Sequence, residues 1–253
     1  MFNLHQKIRR LTNTEKKEYN EFGYIKNLPV FSKNSSRDLH NFYIELSSRL
    51  PDNININKTN MWHKASKKFY NLCRTPPILD YVEDILGPNF VQWGGQFFNK
   101  EPNENSIVPW HQDAQYWPLN PINAVTVWLA IYDTDKENGA MKVVRGSHKK
   151  GAKGFKHHIN NSKNYVLEQE VSIDQINKDY ISYIDLKAGE ISLHNDALLH
   201  GSDANISNRR RCGVAMRFSP TNVKGDLSKW PFFETQLARG VDIYNYNPVA
   251  KVP

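Results

Sequence analysis

The stretch Asn123–Tyr132, NAVTVWLAIY, alternates with a period of two: Val125, Val127, Leu129 and Ile131 take one side, Thr126, Trp128 and Ala130 the other. In an extended chain successive side chains point to opposite faces, so this pattern reads as a β-strand, and large or apolar groups on both sides predict burial of both faces. Outward from it, GEISLHNDALLHGS (Gly189–Ser202) and RCGVAMRF (Arg211–Phe218) have the same character. Gly189-Glu190 makes the turn into Ile191–Leu193, and the two segments suggest a second strand pair.

The N-terminal third reads differently. Thr14-Glu15 after Asn13 gives a helix start, Ser35-Ser36 precedes the run DLHNFYIELSSRL, and PPILDYVEDIL opens on proline with Gly87 just past its end. Helices followed by many short strands favour a mainly β fold, a sandwich or barrel with flanking α-helices. With no internal repeat, low-complexity tract or linker, one domain over 1–253 is expected. Its parts are a mostly helical cover over about 1–90 and a strand core over about 91–220. The segment of about 151–180 has no strong period and is expected to form a lid.

The 253 residues, 39% hydrophobic and 12% aromatic, suffice for a sizeable core. The first residues, MFNLHQKIRRL, lack the apolar centre of a secretory signal, and no stretch approaches the roughly 18 apolar residues of a membrane helix. A cytoplasmic protein without a membrane association is expected. Cys73 and Cys212 are too few for a disulfide framework or a structural zinc site, so both are expected as buried thiols. The formal charge of +7 is spread among acids in most segments, which argues against a nucleic-acid surface. The densest basic run, SHKKGAKGFKHH (Ser147–His158), lacks aromatics for base stacking and reads as a solvated loop or a basic rim for an anionic small molecule. The sequence leaves oligomeric state open.

Chemistry concentrates in PWHQDAQYW (Pro109–Trp117). In extended backbone His111 and Asp113 face one point, and imidazole with carboxylate suits a divalent metal; two histidines and one carboxylate form the facial triad of non-haem iron(II) oxygenases. H-x-D spacing is weak by itself, since nine histidines give one by chance about half the time, and His194-Asn195-Asp196 repeats it. A third ligand 89 positions along the chain, His200, would let two distant segments clamp one ion. His148, His157 and His158 lack a spaced carboxylate and read as surface histidines.

The order of H-Q-D, DTDKENGAMKVVRGSHKKG (Asp133–Gly151), LLHGS (Leu198–Ser202) and an arginine eleven residues after His200 resembles the phytanoyl-CoA dioxygenase family of iron(II)- and 2-oxoglutarate-dependent oxygenases. ENGAMKVVRGSH is similar to that family's E-N-G-x-x-x-V-x-P-G-S-H, with Arg145 in place of the proline. The resemblance runs from LTNTEKKEYNEFGYIKN (Leu11–Asn27) to RFSP, ending at Pro220. It implies a double-stranded β-helix, or jelly roll, with Fe(II), 2-oxoglutarate and O2 as cofactor and cosubstrates. His111, Asp113 and His200 are implied as iron ligands and Arg211 as the clamp on the distal carboxylate of 2-oxoglutarate. Arg209 and Arg210 compete for that task, but spacing from His200 and phase with Gly213, Ala215 and Arg217 favour Arg211.

Ser202 and Thr126 match hydroxyl positions that contact the cosubstrate in relatives such as ectoine hydroxylase. Trp117, Tyr116, Gln96 and His194 correspond to positions lining the substrate pocket, although buried aromatics as often only fill space. Tyr116 and Trp117 could also receive a quaternary ammonium group. Arg217, in phase with Arg211, is expected to point inward and needs a partner, either an acid of the protein or an anionic substrate. Relatives that halogenate have a small residue where Asp113 stands, so hydroxylation of an aliphatic C–H of a small, polar or anionic metabolite is the implied reaction, with succinate and CO2 released. Desaturation, epoxidation or ring rearrangement would use the same residues. A cupin-like metal protein or a pseudoenzyme are the readings from other classes.

Overall fold

In the computed structural model, which describes residues 2–160 and 162–253, Asn161 of the expected lid segment lies outside the described residues. Helices α1 (Asn13–Phe22), α2 (Ser36–Ser47), α3 (Trp62–Ala65), α4 (Lys67–Cys73) and α5 (Pro76–Leu86) come first, with strand β1 (Tyr24–Pro29) after α1. Then follow β2 (Phe90–Lys100), β3 (Val108–His111), β4 (Leu119–Asn120), β5 (Val125–Ala130) and β6 (Met141–Val144). The remaining strands are β7 (His157–Ile159), β8 (Gln169–Val171), β9 (Ile181–Tyr183), β10 (Glu190–Asn195), β11 (His200–Ser202), β12 (Arg211–Pro220), β13 (Lys224–Gly225) and β14 (Gln236–Arg239).

The helix ends follow local chemistry. Thr12 caps α1: its hydroxyl accepts from Glu15 N at 3.2 Å, and the Glu15 carboxylate accepts from Thr12 N at 2.8 Å, which moves the cap two residues ahead of Thr14. Ser35 precedes α2 but gives its hydroxyl to the Asn3 backbone instead of the helix. At the end of α5, Gly87 takes φ 86°, which a side chain would resist, and its N–H reaches Glu83 O at 2.8 Å.

Two antiparallel sheets hold ten of the strands, one of order β1-β10-β5-β12-β2-β14 and the other β3-β11-β6-β9, while β4 pairs with β13 and β7 with β8. The segments expected as a strand pair, β10 and β12, do not pair with each other; β5 runs between them and bonds to both. The alternation of β5 explains this position. Val125, Val127, Leu129 and Ile131 join Phe97, Val214 and Met216 and pack under α2, α4 and α5 through Phe42, Phe69 and Val82. Trp128 and Ala130, on the opposite face, join Ala215, Met141, Val143 and Leu198 between the sheets. A strand covered on both faces needs apolar residues at every position but a functional one, and here that is Thr126.

The 151–180 segment is more structured than its lack of period suggests. β7 and β8 pair, and Phe155, Val171 and Ile176 are buried with Trp110, Val144 and Leu199. Three isolated apolar anchors dock it, and anchors so spaced produce no periodicity in sequence. Cys73 and Cys212 are buried thiols. Among the described residues no helix is long and apolar enough to cross a membrane.

Two stability predictions follow from this packing. Phe97 is fully buried, with the rings of Phe42, Tyr43, Trp62 and Phe69 around it. Urea unfolding of Phe97→Ala should show a loss of about 3–5 kcal/mol, whereas Phe232→Ala, at a side chain 81% exposed, should change stability by less than about 0.5 kcal/mol. His63 is wholly buried and neither ring nitrogen has a partner among the described residues. Burial, helped by the charges of Arg74, Lys64 and Arg217, pushes its pKa down to about 3. Below pH ~6.5 the unfolded chain takes up a proton that the folded chain refuses, so stability falls as pH drops from there by about 1.4 kcal/mol per unit. The loss between pH 7 and 5 should shrink by about 2 kcal/mol in His63→Leu; an unchanged pH profile would contradict this.

Candidate metal and anion site

Antiparallel pairing of β3 with β11 sets His111 opposite His200, with the rings 4.1 Å apart. Gln112 is still extended (φ −112°, ψ 127°), so the alternation carries on to Asp113, where a 3-10 turn begins in place of the expected continuous strand. His111 Nε2 lies 3.7 Å from Asp113 Oδ1, and one ligand atom from each of His111, Asp113 and His200 falls within 4.8 Å of the others. All three residues are buried.

The donor chemistry fits a metal ion. His111 Nδ1 is 2.8 Å from Pro109 O and His200 Nδ1 is 2.9 Å from Leu198 O. A carbonyl only accepts, so each Nδ1 carries the hydrogen and each Nε2 turns its lone pair to the site. Burial and the neighbouring His111 keep His200 well below the usual histidine range, hence neutral. Burial would raise the Asp113 carboxyl, but His111, His194, His200 and Arg217 outweigh it and hold the group well below the usual carboxylate range. Two imidazoles and one carboxylate therefore converge.

His194 lies beside this group without joining it, its Nε2 3.8 Å from Asp113 Oδ2 and its ring 4.9 Å from that of His200. Thr126, expected at the cosubstrate, lines the cavity and donates to Asp113 Oδ2 at 3.4 Å. The second H-x-D is divided between tasks: Asp196 accepts from Ala124 N at 2.8 Å, and its carbonyl receives Ala114 N, bracing the turn after Asp113.

The arginines of NRRRC separate cleanly. Arg209 pairs with Asp135 and Glu137, and Arg210 with Glu101, all at the surface. Arg211 is 3% exposed, has only a 3.5 Å contact from Nη1 to Phe98 O, and its Nε has no acceptor among the described residues. Burial lowers its pKa to about 10. Trp128 lies against it, 5.1 Å from ring to guanidinium, in space that exists because residue 213 is glycine: a Cβ there would stand 2.1 Å from the indole. Ser202, buried with a hydroxyl that bonds nothing among the described residues, lines the same cavity of about 590 Å³.

That cavity is also lined by Gln96, Tyr116, Trp117, His194 and Arg217, so all the expected site residues face one space. Tyr116 packs edge-on to His111 and its hydroxyl donates to Gln169 O at 3.5 Å. Sequence reasoning missed several walls: Trp128, Asn57 and Lys58 from the loop after α2, and Tyr165–Glu168 from the 151–180 segment. Only Trp128 had a signal, its place on the Thr126 face of β5. His157 is also more than a surface residue. It is half-buried and its Nε2 accepts from Gln112 N at 3.3 Å, while His148 Nε2 bonds Asn20 O and His158 stays exposed.

Residues 32–213 match the Phytanoyl-CoA dioxygenase (PhyH) family. The peroxisomal phytanoyl-CoA dioxygenase of Bos taurus is 27% identical over 164 residues, 63% of this chain and 48% of that protein, so the chain spans about half the length of such relatives. Among solved structures, the non-heme monooxygenase ThoJ superposes with a TM-score of 0.77 at 24% identity, over 94% of this chain and 88% of that one. CytC3 with Fe(II) and alpha-ketoglutarate gives 0.69 at 22% identity, over 95% and 93%. With well over half of its length inside the family match, the chain belongs to the phytanoyl-CoA dioxygenase family.

Proposed function

We propose that the chain is an Fe(II)- and 2-oxoglutarate-dependent oxygenase that hydroxylates an aliphatic C–H bond of a small, polar or anionic metabolite. The observation that carries this reading is the convergence of His111, Asp113 and His200 within 4.8 Å at the wall of a cavity that also holds an unpaired, buried Arg211. Two histidines and one carboxylate leave open positions on iron, and a planar guanidinium matches a carboxylate better than any other side chain. Iron in that site supplies dioxygen activation coupled to decarboxylation of 2-oxoglutarate, with succinate and CO2 as co-products.

The protein's own part is positional. The carbonyls of Pro109 and Leu198 fix the ring tautomers, and Thr126 steadies Asp113. Arg211 grips the distal carboxylate of 2-oxoglutarate, with the free hydroxyl of Ser202 beside it and Trp128 as wall. Trp117, Tyr116, Gln96 and His194 face the substrate. The facing antiparallel sheets with the site between them support a jelly roll in one domain, and Tyr165–Glu168 support a lid in the 151–180 segment. A cupin-like metal protein would have no use for a clamp at Arg211, and an intact ligand set speaks against a pseudoenzyme.

Anaerobic titration with Fe(II) and 2-oxoglutarate tests the reading through the visible charge-transfer band of chelated 2-oxoglutarate. Wild type should show the band and His111→Ala should lose it. Arg211→Ala should need about 10- to 100-fold more 2-oxoglutarate, the worth of one charge-assisted contact. A folded, metal-loaded wild type without the band would sink the assignment.

A further inference from the structure

Arg217 is the second arginine on the inner face of β12, six residues from Arg211, or roughly 20 Å along an extended strand. It is 7% exposed and lines the cavity. The structural acid expected for it is missing: the ion contacts of Asp113 are with His111 and His194, and no carboxylate among the described residues lies within 4 Å of the Arg217 guanidinium. Its terminal nitrogens share one weak acceptor, Gln96 Oε1, at 3.4 Å each, and Nε has none. A buried charge so poorly satisfied is costly to fold, and a protein retains such a group where a ligand completes it.

The surroundings are built to hold this guanidinium open. Gln96 gives its amide N–H to Asn57 O, which leaves its oxygen aimed at Arg217. Residue 94, directly opposite in the β2–β12 register, is glycine; a Cβ there would stand 2.8 Å from Arg217 Cδ, so the side chain lies in the space that glycine leaves. Trp117 lies 5.4 Å from the guanidinium carbon and is backed by Trp93 at 4.7 Å. A cation of the protein already occupies the neighbourhood of Trp117, which removes the case for a quaternary ammonium substrate there.

Charge balance narrows the class. A divalent metal offsets dianionic 2-oxoglutarate, and the single charge of Asp113, whose field reaches Arg217 from beyond 4 Å, offsets only one of the two buried arginines. Lys58 and Glu168, the other charged residues at the cavity, are both exposed at its rim, of opposite sign and screened by solvent. One interior positive charge remains. We infer that the substrate carries a single carboxylate that docks on Arg217 and Gln96, at the opposite end of the cavity from the 2-oxoglutarate clamp. The inference rests on the oxygenase reading for that ledger but on Arg217 and its neighbours for the seat.

Isothermal titration calorimetry on the full chain loaded with Mn(II) and saturating 2-oxoglutarate, which fills the Arg211 end, tests it. The probes are propionate through octanoate, proline and valine, the neutral amide of each, and propylphosphonate. At least one carboxylate should bind wild type, with its amide at least about 10-fold weaker. Arg217→Gln should weaken that carboxylate by about 10- to 100-fold and Arg217→Lys by less, with amide and 2-oxoglutarate affinities unchanged. Without ligand, Arg217→Gln should melt at or above the wild-type temperature, because no carboxylate among the described residues pairs with the lost charge within 4 Å.

Three results would overturn the inference: no carboxylate binding better than its amide, equal binding of the best carboxylate to wild type and Arg217→Gln, or a preference for the phosphonate. A lower melting temperature together with weaker Mn(II) binding in Arg217→Gln would also overturn it, by marking the arginine as a support for Asp113. Absence of 2-oxoglutarate binding to wild type would instead count against the oxygenase reading, and the carboxylate–amide comparison would still decide the Arg217 seat.

Discussion

The register of one short strand pair governs the rest. β11 is three residues long, yet it bonds β3 on one side and β6 on the other, so His200 is held opposite both His111 and Val143. A slip by one residue would turn His200 to the far face and bring Gly201 or Leu199 to the site. Leu199 already has its own place on that far face, buried with Trp110 and Val144. The apolar partners of the neighbours thus fix the ligand.

Charge in the site is arranged by the same alternation on β12. Arg211, Gly213, Ala215 and Arg217 face inward while Cys212, Val214 and Met216 enter the core under the helices. Arginine at both ends and small residues between them leave room for groups arriving from the solvent. Glycines act as complements at two points, Gly213 under Trp128 and Gly94 under Arg217, where any side chain would occupy the volume of the charged or aromatic neighbour. Folding two buried guanidinium groups costs stability that the apolar layers offset, which is how a binding site is made within a marginally stable chain.

Much of this was legible in the sequence because it depends on period two. The two-faced burial of Asn123–Tyr132, the inward phase of Arg211 and Arg217, and the ends of α5 at proline and Gly87 all follow from local geometry. What escaped was decided by tertiary contact. Nothing in NRRRC says that Arg209 and Arg210 have acids waiting at Asp135 and Glu101 while Arg211 has none among the described residues. Thr126 reads as a hydroxyl facing the site but not as one directed to Asp113. Lys58 and Tyr165–Glu168 come to the cavity from irregular segments whose sequence carries no periodicity to place them.

The two H-x-D segments show why spacing alone could not choose between them. After His111 the chain stays extended through Gln112, and the turn that follows keeps Asp113 beside the histidine; after His194 the strand ends at Asn195, and Asp196 is drawn to Ala124 N. The intervening residue makes the difference. Asn195 is the last residue of β10, where its side chain accepts from Ala197 N and shapes a turn. Gln112 is long enough to cross the far face of β3 and donate to both Gly151 O and Ala197 O, while its backbone N–H meets His157. The residue between the two ligands is thereby committed to the segment that covers the site. Replacing it with a shorter side chain would leave His111 and Asp113 unchanged in sequence yet cut the contacts that tie the cover to the strand on which they stand.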